Sequence, residues 1–256
     1  MILRWLGLAP PPSEPIADPL WRRAVRRAWL IRWLAPADQA ILRQRCERFL
    51  ACKAITPAGG FEMSPLRRVL VAALCCRSTL RLPEDCLDGW HEVIVYPGQF
   101  RVRRHETGEH DGVVHEWDDD LAGEAWERGP IVLSWADVLA DLRQPEPGFN
   151  VIIHEIAHKL DALDGPMNGT PPLRDAATRR SWVSAFQAAF DDLNARLDRD
   201  EETPIDPYAA ESPDEFFAVA SEYHFTADRQ LAACYPEVAA LLEAFYGPAP
   251  RRPAPG

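Results

Sequence analysis

Long hydrophobic segments and paired cysteine motifs are both missing from this sequence. The longest apolar run, Val69 to Cys76, has eight residues, whereas a membrane-spanning helix requires about 18. None of the six cysteines belongs to a Cys-x-x-Cys motif, and the adjacent Cys75 and Cys76 lie within that apolar run. We therefore expect neither a membrane span nor a cysteine-based metal site, and we interpret this cysteine pair as small core residues.

The N-terminal segment is expected to be a poor signal peptide. Residues 1–8 carry Arg4 within their apolar part and lead directly into Pro10-Pro11-Pro12, without the small residues that mark a signal-peptide cleavage site. Without export, the thiols would remain in a reducing compartment. The expected location is the cytoplasm.

The chain lacks an overall excess of positive charge. It has 28 basic and 39 acidic residues, a net charge of −11, which argues against direct nucleic-acid binding because phosphate binding requires clustered Lys and Arg. Residues 1–68 are the exception, with 12 basic and 5 acidic residues. Within them, Trp21 to Arg27 favours a helix with a solvated basic face; an acidic partner or an anionic membrane surface is the alternative interpretation.

The composition that remains is typical of a folded soluble protein. The chain has 256 residues, of which 47% are hydrophobic and 26% charged, and it contains nine tryptophans. This length suits one domain. We expect a Pro-rich leader at 1–17, a single domain at 18–248 that includes an N-terminal helical part at 18–88, and a disordered Pro-rich tail at 249–256.

Hydrophobic periodicity predicts helices on both sides of a short strand-rich segment. The predicted helices cover 18–53, with a break at Pro36, and 65–76, 137–142, 150–164, 175–197, 213–224 and 236–246. The predicted strands cover 91–96, 100–103, 112–117 and 131–135. Because the strands cluster between helical runs, the pattern favours an α+β fold with a small mixed sheet over alternating βαβ units.

The segment His154-Glu155-Ile156-Ala157-His158 lies within the predicted helix 150–164, which Asn150 is expected to cap. Two histidines four residues apart project from the same face of a helix, so both imidazoles can bind one cation. Glu155 lies where its carboxylate can hold a water on that cation. Two imidazoles and one carboxylate would leave a fourth position for water, as in catalytic zinc sites. The sequence therefore predicts one Zn²⁺ per chain.

The third ligand does not follow from the same helix. Asp161 and Asp164 occupy the positions at which a metzincin has glycine and its third histidine, so that class is excluded. On a continuing helix Asp164 would point away from the histidines. Asp161 stays on their face, where it could accept a hydrogen bond from a ligand histidine or serve as a helix-end carboxylate.

A second helix offers the missing carboxylate. Ser212 and Pro213 open the predicted helix 213–224, on which Glu215 and Glu222 lie on nearly one face. Glu215 could instead complete a capping box with Ser212. Spacing alone does not choose between the two glutamates.

Several motifs in the same order resemble the bacterial Mlc titration factor A family of zinc peptidases and, more distantly, the catalytic domain of anthrax lethal factor. The resemblance extends roughly over residues 18–248. It is densest in Gly123-Glu124-Ala125-Trp126, Gly129 to Trp135, Asn150 to Asp161, Asn168-Gly169 with Pro171, Ile205 to Ala210, and Glu215 to Tyr223.

This resemblance implies a zincin-like domain of the gluzincin type. Carried onto this sequence, it makes His154, His158 and Glu215 the zinc ligands, Glu155 the catalytic base, and Tyr208, seven residues before the third ligand, a further catalytic residue.

Two other residues take their interpretation from the same resemblance. Glu222 becomes an acceptor behind a ligand or a helix-packing residue. His224 departs from the family pattern, in which an aromatic residue is more common. It is either a surface or core substitution or an additional polar group near the site.

The implied function is a zinc-dependent, aminopeptidase-like peptidase acting on peptides or proteins, with no membrane partner. An exposed strand at 129–135 could hold an extended substrate, unless it is an ordinary core strand. The family name also implies binding to an Mlc-like repressor linked to sugar uptake. A sequestering protein with incidental peptidase activity is therefore the alternative, which the presence of Glu155 and Tyr208 disfavours.

Overall fold

The computed structural model describes residues 13–98, 129–143 and 146–250. The helices in these ranges are α1 (Asp18–Arg27), α2 (Trp29–Arg32), α3 (Pro36–Cys52), α4 (Pro65–Ser78), α5 (Trp135–Arg143), α6 (Val151–Asp161), α7 (Ala176–Leu197), α8 (Pro213–Thr226), α9 (Asp228–Cys234) and α10 (Pro236–Tyr246). Short 3-10 helices cover Glu84–Leu87 and Pro207–Ala210. The strands are β1 (Ala54–Pro57), β2 (Glu92–Tyr96) and β3 (Ile131–Ser134). The predicted mixture of helices with a small sheet is confirmed.

The three strands form one sheet in the order β1-β2-β3, and both pairs are parallel. Ile55, Val93 and Ile131 are in register across the sheet and all three are buried, so one face of the sheet contributes to the core. The strands predicted at 100–103 and 112–117, which would make the sheet mixed, lie outside the described residues.

Strand β1 was missing from the prediction, and with it a βαβ unit, β1-α4-β2. This single unit is not a series of alternating βαβ units, so the described elements remain consistent with the predicted α+β fold. The four residues of β1 include one buried apolar side chain, Ile55, and end at Pro57, so they carry no alternating pattern of their own. Pairing with the strongly alternating β2 makes this segment a strand.

Strand β3 lies at the end of the described sheet order, and Ile131 and Leu133 are fully buried. These two side chains belong to the core, whereas Val132 is half-buried, and the substrate-holding role of this strand stays a prediction. Helix α5 follows directly at Trp135 and begins two residues before its predicted start.

Helix α4 is the centre of the N-terminal half. Every residue from Val69 to Ser78 is buried, which confirms the burial expected from its apolar sequence. Helix α3 packs against α4, and its buried residues are Leu42, Cys46 and Phe49. On α1, Trp21 and Ala24 face the core, whereas the intervening arginines are exposed, so the basic segment has the solvated face predicted for it.

An aromatic cluster joins α7, α8 and α10. Trp182 stacks on Phe186 with ring centroids 4.3 Å apart, and both rings meet Phe217 edge-on. Phe245 contacts Trp182 from α10. Offset and edge-on aromatic pairs add stability beyond their buried area, and these contacts anchor α8 firmly.

Two helix predictions need correction. Helix α6 ends at Asp161 rather than at 164, and α9 was not predicted at all. In the described part of the chain, no helix combines the length and the apolar composition needed to cross a bilayer.

The predicted domain boundaries stay predictions. Ile16, within the predicted leader, is already buried, and its backbone N–H donates to Glu47 on α3 while its carbonyl accepts from Arg43.

Candidate metal centre

The histidine-bearing helix α6 begins with a strong cap. The side-chain oxygen of Asn150 accepts a hydrogen bond from the backbone N–H of Ile153 at 3.0 Å, as predicted for an N-cap residue. The apolar face behind it, Ile152, Ile156 and Leu160, is fully buried. This packing fixes the opposite face of α6, which carries His154 and His158.

Two carboxylates from other helices also meet the start of α6. Asp141 on α5 accepts a hydrogen bond from the N–H of Val151 at 3.2 Å, and Glu222 on α8 accepts one from the N–H of Asn150. Negative charge is favourable at a helix N-terminus. Burial raises the pKa of Asp141 to about 7. No local sequence signal pointed to Asp141, because its partner is ten residues away.

Helix α8 presents Glu215 to the histidines. Ser212 caps this helix by accepting a hydrogen bond from the N–H of Glu215, which confirms the predicted helix start. The Glu215 side chain is buried and points at α6, with its Oε2 atom 3.0 Å from Nε2 of His154 and 3.3 Å from Nε2 of His158.

The three atoms His154 Nε2, His158 Nε2 and Glu215 Oε2 form a nearly equilateral triangle. The two nitrogens are 3.1 Å apart, which completes sides of 3.0, 3.1 and 3.3 Å. Tetrahedral zinc with bonds of about 2.0 to 2.1 Å separates its ligand atoms by about 3.3 Å. The donor set and its spacing therefore fit one small divalent cation.

The electrostatics of the cluster also favour a cation. Burial by itself lowers the pKa of His154, but hydrogen bonds to Glu215 and Glu222 outweigh this effect and raise the pKa to about 10. Burial works in the opposite direction on Glu215, yet its hydrogen bonds with His154 and His158 hold the pKa of this carboxyl well below its ordinary value. Both pKa shifts mean that the space between Nε2 of His154 and Oε2 of Glu215 favours a positive charge.

Comparison with known proteins agrees with this geometry. The family model described as glucose-regulated metallo-peptidase M90 matches residues 10–247. The chain belongs to the M90 metallopeptidase family.

Relatives named Mlc titration factor A extend the comparison. One from Escherichia fergusonii is 39% identical over 218 residues, which cover 83% of this chain and 80% of the relative. One from Escherichia coli (strain SMS-3-5 / SECEC) is 38% identical over 222 residues, with 85% and 82% covered. One from Klebsiella pneumoniae (strain 342) is 37% identical over 225 residues, with 86% and 82% covered. The family resemblance drawn from the motifs is confirmed.

The two candidate ligand histidines of this M90 chain differ on their outer sides. Nδ1 of His154 lies 2.8 Å from Glu222. Nδ1 of His158 is buried and has no hydrogen-bond partner among the described residues; the nearest carboxylate, Asp214, is 3.9 Å away. Glu222 thus has the position of an acceptor behind a candidate ligand, which is one of the two interpretations that the family resemblance implied.

Glu155 and Tyr208 lie beside this triangle in the M90 chain. Glu155 is half-buried on α6 between the two histidines, and its negative charge contributes to the raised pKa of His154. The half-buried ring of Tyr208 lies in the 3-10 helix before α8, with its centroid 6.1 Å from that of His154. The predicted site residues are therefore grouped around one point.

Three other residues of the M90 chain lie away from the triangle. Asp161, the last residue of α6, has an Oδ2 atom that accepts hydrogen bonds from the N–H groups of Asn168 and Gly169 rather than from a candidate ligand histidine, as the helix-end interpretation expected. Asp164 pairs with Arg179 on the surface. His224 is a core residue that donates from Nε2 to the carbonyl of Gly247 at 3.1 Å.

Proposed function

We propose that this chain is a zinc-dependent peptidase of the gluzincin type, with a zincin-like active site. The observation that carries the proposal is the triangle of His154 Nε2, His158 Nε2 and Glu215 Oε2, whose sides of 3.0 to 3.3 Å match the ligand spacing of tetrahedral zinc. Nitrogen and oxygen donors without thiolate suit a catalytic site with an open position.

The chain's own residues would then perform proton transfer and charge stabilisation. Zinc, when bound, supplies Lewis acidity that makes water a nucleophile near neutral pH. Glu155 takes the proton of the attacking water and later donates it to the amine that leaves. The Tyr208 hydroxyl donates a hydrogen bond to the oxygen that becomes negative as the peptide carbonyl is attacked.

The glutamate pair around His154 prepares this chemistry. With a cation bound, Glu222 would accept a hydrogen bond from Nδ1–H of His154, which would leave the Nε2 lone pair free to bind that cation beside Glu215 and His158. We also propose, from the family resemblance alone, that the peptidase has an aminopeptidase-like specificity. We propose that the protein is located in the cytoplasm.

A metal-dependence experiment tests the proposal. We expect one zinc per chain by elemental analysis, peptide cleavage that a chelator abolishes and added Zn²⁺ restores, and loss of both metal and activity in His154→Ala. His91→Ala, which removes an exposed histidine just before β2, is the matched control and should behave like the wild type. Full zinc content in His154→Ala would contradict the assigned site.

A second candidate function is binding of a transcriptional repressor. The relatives are named Mlc titration factor A, and their similarity extends over at least 80% of both chains. We propose that an Mlc-like repressor, where one is present, binds this chain and that sugar uptake is linked to that binding. Repressor binding and peptide hydrolysis require different features of the protein, because a surface can bind a repressor without any proton transfer.

A further inference from the structure

The end of α6 is attached to the following loop by one buried carboxylate. Asp161, the last residue of the helix, is completely buried, and its Oδ2 atom accepts two backbone hydrogen bonds, from Asn168 N at 2.8 Å and from Gly169 N at 2.7 Å. Hydrogen bonds to a charged acceptor are stronger than neutral ones. The loop at 168–169 therefore cannot move far without moving α6.

The same loop touches the start of α8. Gly169 has φ +76°, and a Cβ atom added there would lie 2.3 Å from the carbonyl oxygen of Pro213, the first residue of α8. Trp182 on α7 donates from Nε1 to the carbonyl of Gly169 at 2.9 Å and holds the loop from the other side. Only glycine allows this backbone-to-backbone approach.

These contacts connect the two parts of the candidate metal site by a short route. Asp161 is three residues after His158, and Pro213 is two residues before Glu215. We propose that Asp161 and Gly169 are positioning residues, a brace that sets the distance between the histidines on α6 and the glutamate on α8. The inference rests on the proposed function, since it concerns metal affinity at that site.

The required precision explains why a brace would matter. A metal site needs its ligands within about 0.5 Å of the productive geometry, and the triangle here has sides of 3.0 to 3.3 Å. A Cβ atom at position 169 would lie 2.3 Å from the carbonyl oxygen and 2.8 Å from the carbonyl carbon of Pro213, and these backbone atoms can move away only if the chain at Pro213 is displaced. Displacement at Pro213 is transmitted to Glu215 within half a helical turn.

A glycine pair provides the matched test. Gly165 lies in the same loop with φ +147°, so alanine is strained there too, but nothing lies within 4 Å of an added Cβ. We expect Gly169→Ala to weaken zinc affinity by about 10-fold or more, the scale seen when groups that orient ligands are removed. Gly165→Ala should keep wild-type affinity. Competition with a chromophoric chelator measures both constants. Equal affinities in the two variants would overturn the proposal.

Variants of Asp161 separate positioning from general stability. Asp161→Ala removes the acceptor, whereas Asp161→Asn retains an oxygen that can accept both N–H groups. We expect Asp161→Ala to lose affinity and Asp161→Asn to recover most of it. Leu42→Ala, which removes a fully buried side chain from α3, a helix that carries none of the candidate ligands, should lower the melting temperature while leaving zinc affinity unchanged. If zinc affinity fell in proportion to the melting temperature across all of these variants, Asp161 would have only a structural role and the proposal would be overturned.

Amide hydrogen exchange in the zinc-free protein tests whether Asp161 and Gly169 act as a brace between α6 and α8, independently of metal binding. The N–H groups of Glu215 and Phe216 bond to Ser212 in the first turn of α8. Asp161→Ala should accelerate their exchange more than Leu42→Ala does. Unchanged protection in this turn would refute the brace. A wild-type protein that binds no zinc but shows this coupling would refute the proposed function and retain the brace.

Discussion

Glu222 lies directly behind His154, with its Oε1 atom 2.8 Å from Nδ1 of that histidine, on the ring edge opposite Glu215. Its second oxygen accepts the N–H of Asn150, so the carboxylate is fixed at both ends. Burial raises the pKa of Glu222, and its bonds to His154 and Asn150 oppose that effect. This side chain therefore determines which ring nitrogen of His154 faces the candidate metal position.

Replacement of Glu222 should weaken the metal site. In Glu222→Gln, one oxygen still accepts a hydrogen bond, but the amide nitrogen must face either the N–H of Asn150 or Nδ1–H of His154. We expect zinc affinity to fall by about 10- to 100-fold. Isothermal titration with Zn²⁺ measures this change. Glu211→Gln, an exposed control just before α8, should not alter it; an unaffected Glu222→Gln would contradict the orienting role.

Glu155→Gln should separate metal binding from catalysis. The amide is nearly isosteric but cannot take a proton, so peptide cleavage should fall by at least about 100-fold while zinc content and melting temperature remain those of the wild type. Single-turnover assays with matched zinc content check this. Cleavage at the wild-type rate would rule out Glu155 as the general base.

Tyr208→Phe should act mainly on kcat. The ring and its packing near His154 remain, whereas the hydroxyl assigned to the developing negative charge is lost. Removal of one such donor costs about 100-fold in kcat. Steady-state kinetics over a range of peptide concentrations make the distinction. A raised KM with unchanged kcat would instead indicate a role in substrate binding.

Repressor binding should be insensitive to the catalytic base. If the chain sequesters an Mlc-like repressor, Glu155→Gln should bind it as tightly as the wild type and still relieve repression, because the protein surface is almost unchanged. If proteolysis carries the biological role, the same variant should fail in cells although it is folded. A pull-down combined with a promoter reporter distinguishes these outcomes.

His224 should make the fold sensitive to mild acid. Burial lowers the pKa of this imidazole from 6.5 to about 4, so the unfolded chain binds the proton more readily. The stability contributed by neutral His224 is present above pH 6.5 and is lost as the pH falls toward 4, by about 3 kcal/mol at most.

His224→Phe provides the test of that pH dependence. The variant loses the hydrogen bond to Gly247, which should cost about 1 kcal/mol at pH 7. Its unfolding free energy should then decline less steeply between pH 6.5 and 4 than that of the wild type. Urea titrations at four pH values measure both curves. Parallel curves would show that another group causes the acid sensitivity.

Local sequence patterns were sufficient to predict those structural elements that are determined by residues close together in the chain. The spacing of His154 and His158 predicts a common helix face, and Asn150 and Ser212 predict the two helix starts. Strand β1 could not be found in this way, because a single buried side chain, Ile55, gives no pattern and the strand exists through its pairing with β2. The early end of α6 was likewise missed, since Asp161 turns to bind the loop 168–169.

The sequence by itself determined the paired histidines on one helix face and the catalytic candidate Glu155 between them, because residue type and helical spacing are local properties. Only the tertiary structure decided how Glu215 and Glu222 divide their contacts. Both lie on one face of α8, and the way that α8 packs on α6 brings Glu215 to Nε2 and Glu222 to Nδ1 of the same histidine. That packing depends on buried contacts between residues far apart in the chain, such as Gly169 with Pro213 and Asn150 with Glu222, which no local pattern records.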